Sequence, residues 1–172
     1  MIRRPIPAQL RACEGTLLGF ARISDQDYPN QGAIAAAYPD RLVIVPDAPG
    51  EGPSVVSVVW SEFEGAGWDG DAHRLTLRFV DNRRAPLVMT LQGKAGYSLA
   101  LIVRERVEYS IVFQQQANLP SGAIAHGMVR RGPDEVLFTE VIVDGDTSAA
   151  DDVVVAQLEA SLRDVTGLAP DA

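Results

Sequence analysis

Residues 99–113, LALIVRERVEYSIVF, change hydrophobic period with no glycine or proline to mark the change. Counted from Ala95, Leu99, Ile102, Val103 and Arg106 fall at helical spacing, while Arg104, Glu105 and Glu108 turn to water. From Val107 the repeat becomes two. Val107, Tyr109, Ile111 and Phe113 share one side, and Glu108, Ser110, Val112 and Gln114 the other. Tyrosine, isoleucine, valine and phenylalanine suit a pleated surface better than a helix. The pattern predicts a helix over 95–106, preceded by the breakers Gly93 and Gly96, that passes directly into a strand at Val107. One continuous helix over 96–116 is the competing reading.

Upstream, glycine and proline punctuate short apolar segments, as in a mainly β protein with tight turns. Thr16–Ile23, Ala33–Tyr38, Arg41–Val45 and Ser54–Val59 read as strands, separated by the loops SDQDYPNQG and DAPGEGP. WSEFEGAGW reads as a bend and a strand over Phe63–Trp68. In HRLTLRFV, Leu75, Leu77 and Phe79 alternate with Arg74, Thr76 and Arg78. After the turn DNRR, Leu87, Met89 and Leu91 alternate with Val88 and Thr90, which makes a hairpin with four or five connecting residues. About seven strands therefore precede residue 92. Downstream, GAIAHGMVRR and EVLFTEVIV flank the turn Gly132-Pro133-Asp134. Val154, Leu158, Leu162 and Val165 form the stripe of a final amphipathic helix, with Ser148 as its expected N-cap, Gly167 as its stop and a frayed APDA tail.

About seven antiparallel strands followed by a packed helix is an order that resembles a pleckstrin-homology-like (PH-like) domain. The resemblance rests on RLVIVP, on WSEFEGAGWDGDAHRLTLRFVDNRRAPLVMTL and on GYSLALIVRERV. It implies a mainly β (α+β) fold. The resemblance implies a PH-like antiparallel barrel over residues 12–107 closed by a helix, with an extension over 108–172, about three strands including a β-hairpin and one helix, packed on it. It looks in particular like small uncharacterised proteins of GC-rich bacteria, an origin that the alanine content and the fourteen arginines against one lysine also suggest. The resemblance implies a binding or scaffolding role. Many PH domains hold phosphoinositides on a basic loop between their first two strands. The corresponding loop here, SDQDYPNQG, has two aspartates and no basic residue, so no phosphoinositide or membrane binding is expected.

The 172-residue chain carries a net charge of −8, which argues against nucleic acid as a partner. No apolar run approaches the ~20 residues of a membrane span. The early Pro5 and Pro7 make a secretory signal an unlikely reading of the first residues. Cys13 stands alone, and a reducing, cytoplasmic location is the expectation.

No catalytic or nucleotide-binding motif is present, and no cofactor is implied. His73 and His126 lack a ligand spacing and read as ordinary structural histidines. Ser110, His126 and Asp144 can be written as a triad, but nothing in their spacing supports one. Asp144, Asp146, Asp151 and Asp152 are the densest acidic cluster and weak candidates for Ca²⁺ or Mg²⁺, although capping and turn formation explain most of them. Arg83-Arg84 and Arg130-Arg131 read as solvated ion pairs, the latter at a hairpin tip, with an anion site as the alternative. Trp60, Trp68 and Tyr97 are core fillers, or the lining of an internal pocket. The expected role is a non-catalytic module that binds a protein or itself, with the strand after Val107 available for pairing. The alternative is a small-ligand carrier or enzyme with a barrel pocket, for which Trp60, Trp68, Tyr97, Arg130 and Arg131 are the candidate contacts.

Overall fold

Alanine is the reason the first sheet can be covered on both sides. β2 (Ala33–Ala37) reads AIAAA and is buried at all five positions. It lies inside a four-stranded antiparallel meander with β1 (Gly19–Ile23), β3 (Arg41–Pro46) and β4 (Val56–Val59). Strand alternation sends Ala33, Ala35 and Ala37 into the main core with Leu42, Ile44 and Val58. It sends Ile34, Ala36 and Tyr38 to the other face, where Leu10 from the short 3₁₀ turn Ala8–Ala12 covers them with Cys13, Leu17 and Phe20. The computed structural model that gives this arrangement describes residues 5–24, 32–47 and 55–167. The expected loop residues 25–31 and 48–53, the expected strand start at Ser54 and the tail after Gly167 lie outside the described residues.

A 3₁₀ turn, Trp60–Glu62, bends the chain out of β4 into a second antiparallel meander of β5 (Phe63–Asp69), β6 (Arg74–Phe79) and β7 (Leu87–Thr90). The predicted hairpin is present, with Leu75 opposite Met89 and Leu77 opposite Leu87. Its connection, residues 80–86, is longer than expected because Asp81 builds its own turn, accepting from the backbone N–H and the guanidinium of Arg83. The seven strands do not close into a barrel. Among the described residues the two meanders are separate sheets, interrupted at the Trp60 corner. The other side is joined by the single bridge Ile23–Leu91 and by bonds such as Ser24 N–H to the Thr90 carbonyl. A barrel needs a continuous ladder around its circumference, and the 3₁₀ corner removes one.

α1 (Gly93–Ser110) follows. It packs Leu99, Ala100, Val103 and Val107 into the main core beside Trp60, Phe63, Leu75, Leu77 and Met89. Two glycines let it come close. A Cβ on Gly96 would stand 2.7 Å from Leu91 Cβ, and one on Gly19 2.7 Å from Ile102 Cδ1. Gly96 is therefore a contact inside the helix and not a breaker before it, whereas Gly93, at φ +64°, does mark its start.

The change of period is real, but it comes four residues later than predicted. The helix runs to Ser110 and β8 (Ile111–Asn118) begins at the next residue. Val107 belongs to the helix because Leu99, Val103 and Val107 are also spaced i, i+4, i+8 and reach the core that way. Packing outweighs the strand preference of VEYS.

β8 pairs with β9 (Ile124–Arg131), and β9 with β10 (Leu137–Asp144), in a third antiparallel sheet. α2 (Asp152–Thr166) lies on one face of it, where Leu158 and Leu162 meet Ala125, Val129, Val141 and Val143. Gly127 makes that approach possible, since a Cβ there would fall 2.8 Å from Leu162 Cδ1 and 2.9 Å from Leu158 Cγ. Asp151, not Ser148, is the N-cap residue, and Gly167 ends the helix in the left-handed conformation. By internal contacts the chain forms two compact units, Met1–Val107 and Glu108–Ala172. The protein is thus mainly β, with three antiparallel sheets and two long helices. Among the described residues no helix is long and apolar enough to cross a membrane.

Candidate functional site

The three aromatic candidates separate into two places. Trp60 fills the core. It is almost wholly buried, and its indole N–H donates to the Tyr38 carbonyl at 2.9 Å. Its ring stands 6.4 Å from Phe63, which in turn lies 4.9 Å from Phe79. Phe79 carries the Arg84 guanidinium 3.6 Å above its centroid, and Arg84 also donates to Glu62 at 2.5 Å.

Trp68 and Tyr97 come together near the surface. Their ring centroids are 6.4 Å apart and tilted by 58°. His73 completes the group, 6.2 Å from Trp68 and edge-on at 64°. The strand, the turn and the helix each supply one ring. Trp68 is near the end of β5, opposite Leu75 of β6. His73 ends the turn between those strands, where the Asp69 carboxylate accepts the N–H groups of Asp71 and Ala72, both at 3.0 Å. These bonds, that of Ala72 foremost, hold Asp69 below the ordinary carboxylate range. Tyr97 stands one turn into α1. Trp68 is half-buried against the core, His73 is exposed, and Tyr97 is 53% exposed. His73 holds φ +50°, a region non-glycine residues seldom occupy.

The arginine pair divides as well. Arg130 is fully buried and not solvated, and it lies within β9 rather than at a hairpin tip. Glu140, diagonal to it on β10, has its carboxyl pushed up by burial, an effect the charge of Arg130 opposes. Arg131 points to the other face of β9. Its guanidinium stands 4.6 Å from the Tyr109 ring centroid and 3.3 Å from Glu135, which also accepts from the Tyr109 hydroxyl at 2.9 Å. Glu135, at φ +64°, completes the tight turn.

Of the four aspartates, Asp144, Asp146 and Asp152 are exposed and Asp151 is buried. The carboxylate of Asp151 accepts from Ser148 N–H at 2.7 Å, Ser148 Oγ at 3.2 Å and Ser121 N–H at 3.0 Å. It thereby ties the β8–β9 loop to the entry of α2. Among the described residues no three His, Cys, Asp or Glu side chains gather into a group that could hold a metal ion. His126 shares a 3.2 Å hydrogen bond with Gln116, and Asp144 stands two pairs further along the ladder, opposite Ile124. Ser110 is the last residue of α1. Cys13 lies beside Tyr38, whose phenol is pushed up first by burial and then by that neighbour.

The sequence reads His73 as an ordinary turn histidine and assigns Gly127 no role. A turn histidine shows its ring neighbours only when the helix is in place, and a strand glycine shows its purpose only when α2 is. No family model, no curated protein and no solved structure matches this chain.

Proposed function

We propose that this chain is a non-catalytic, PH-like interaction module that associates with protein, in the first place with a second copy of itself, along the outer edge of β10. The PH-like part of the reading is supported by the order of elements: a four-stranded meander, a three-stranded meander and a helix packed into the core between them. The absence of basic residues from SDQDYPNQG and the net charge of −8 direct the reading away from phosphoinositides and nucleic acid. A cytoplasmic bacterial setting fits the composition and the lone Cys13.

The observation that carries the association is a contrast between two edges of one sheet. β8 has a bulge between Ile111 and Phe113, and its middle is the exposed run Gln114–Gln116. Such features discourage a further strand. β10 pairs with β9 over eight residues without a register shift. Its sequence, LFTEVIVD, contains no proline, lysine, arginine or glycine, and its apolar side chains are only half-buried. It is an unguarded template for strand addition. A two-fold axis through Val141 would set Glu140 opposite the partner's Ile142, so no like charges meet, and would continue the Val141–Val143 core into a six-stranded sheet.

Sedimentation equilibrium tests the reading. Wild type should populate a dimer at micromolar concentration. Ile142→Glu, which sets a like charge opposite Glu140 at both crossings, should be monomeric with an unchanged circular dichroism spectrum. A wild type that remains monomeric throughout, or a dimer indifferent to Ile142→Glu, overturns it. A carrier or enzyme with a barrel pocket would need a cavity lined by Trp60, Trp68 or Tyr97; the enclosed indole of Trp60, and the meeting of Trp68 with Tyr97 near the surface, give that alternative no support.

A further inference from the structure

We propose that Trp68, His73 and Tyr97 form a subsite for a quaternary ammonium group. The proposal is independent of association through β10.

Tyr97 and His73, from a helix and a turn, stand against Trp68 of β5 at tilts of 58° and 64°, and all three leave part of their surface to solvent. An aromatic ring attracts a cation to its face within about 6 Å of the centroid. With centroids 6.4 Å apart, Trp68 and Tyr97 can both satisfy that distance for one ion resting against both rings. His73 stands edge-on to the same indole, 6.2 Å away. The tilted walls suit a rounded ion better than a flat guanidinium, which prefers to lie parallel to one ring. The polar surroundings agree. The Asp69 carboxylate accepts two backbone N–H groups on Oδ1 and places negative charge in the turn. Asp69 and Asp71 outnumber Arg74, which pairs with Asp69 across the ladder, both of that pair on the face away from Trp68. The turn is therefore net negative and disfavours an anion.

Two sources carry this chemistry, a free choline-type molecule and a trimethylated lysine on a peptide. The test follows the two indole N–H signals by NMR while choline, or a short peptide containing trimethyllysine, is titrated into the full chain. The Trp68 signal should shift saturably. The Trp60 signal, held on the Tyr38 carbonyl, should stay in place. The tighter of the two ligands identifies the source. 3,3-Dimethylbutanol, the neutral isostere of choline, should bind roughly three- to fivefold more weakly or worse, as expected for the loss of one cation–ring contact. Tyr97→Ala and His73→Gly should each weaken choline or peptide binding by a similar roughly three- to fivefold factor. Both variants should fold, since Tyr97 is exposed and glycine accepts the φ that His73 holds. Equal affinity for the neutral isostere overturns the proposal. So does a Trp68 signal that neither cation moves, or binding unaltered in both variants.

Discussion

The backbone N–H of Ser121 donates to the carboxylate of Asp151, thirty residues further along the chain, at 3.0 Å. This bond and those from Ser148 place Asp151 at the junction of the β8–β9 loop and the first turn of α2. The bonds to Ser148 and Ser121 lower its pKa, with the Ser148 N–H the leading cause. An acid whose folded pKa lies below its unfolded value stabilises the fold at pH above that unfolded value, about 3.9. The contribution disappears as pH falls through the folded value. Asp151→Asn keeps the size but turns the amide's own N–H groups toward donors. Its thermal midpoint should be lower than wild type at pH 7, and the gap should narrow below pH ~4. Melting curves at the two pH values check this.

Gly96→Ala sets two effects against each other. Alanine in a helix interior is favoured over glycine by about 1 kcal/mol. The new methyl group, however, would stand 2.7 Å from Leu91 Cβ and 3.0 Å from the Leu91 carbonyl carbon and oxygen. Backbone cannot yield as a side-chain end does, and overpacking costs about 1–3 kcal/mol beyond any gain. The substitution should destabilise the protein by about 1 kcal/mol or more in urea unfolding. A stabilised variant would mean that α1 does not lie on Leu91.

Gly127→Val meets the same obstacle from the sheet side, against Leu158 and Leu162. The expected cost is about 1–3 kcal/mol. Leu162→Ala, which opens a void at a fully buried position, should cost about 2–5 kcal/mol. Combining Gly127→Val with Leu162→Ala should cost less than the sum of the two, because the valine fills part of the space. A double-mutant cycle measures the difference.

Trp60→Phe keeps an aromatic ring in the core but removes the donor to the Tyr38 carbonyl. Leaving a buried acceptor without that N–H should cost about 1–3 kcal/mol. The Trp68 fluorescence of this variant should change little, since Trp68 lies with Tyr97 and His73 and not with Phe63.

What could be read directly from the sequence was mostly local. The alternation of Leu75 and Leu77 against Met89 and Leu87 is reproduced in the pairing, while Phe79 pairs with Phe63 and Leu91 bridges Ile23, because a half-buried strand writes its burial into every second residue. The entry of a strand directly behind a helix was also legible. Its position was not, since Val107 satisfies both periods and only the core contact with α1 decides between them. The separate sheets rest on a three-residue corner at Trp60–Glu62, whose sequence looks like any bend. The buried state of Arg130 depends on what packs over its face of β9, which no window around residue 130 reveals. Trp68 and Tyr97 were legible as residues worth attention. Their adjacency depends on the register of a helix whose first residue is set by Gly93.

The alanines of β2 carry one more implication. Both sides of that ribbon are occupied, so neither offers room for a larger substituent. In a library of all single replacements selected for soluble expression, positions 33–37 should therefore stand out as the longest uninterrupted run of intolerance, among residues with no reactive group at all. Variation in natural or laboratory descendants would have to accumulate elsewhere, in the turns and along the exposed side of α1.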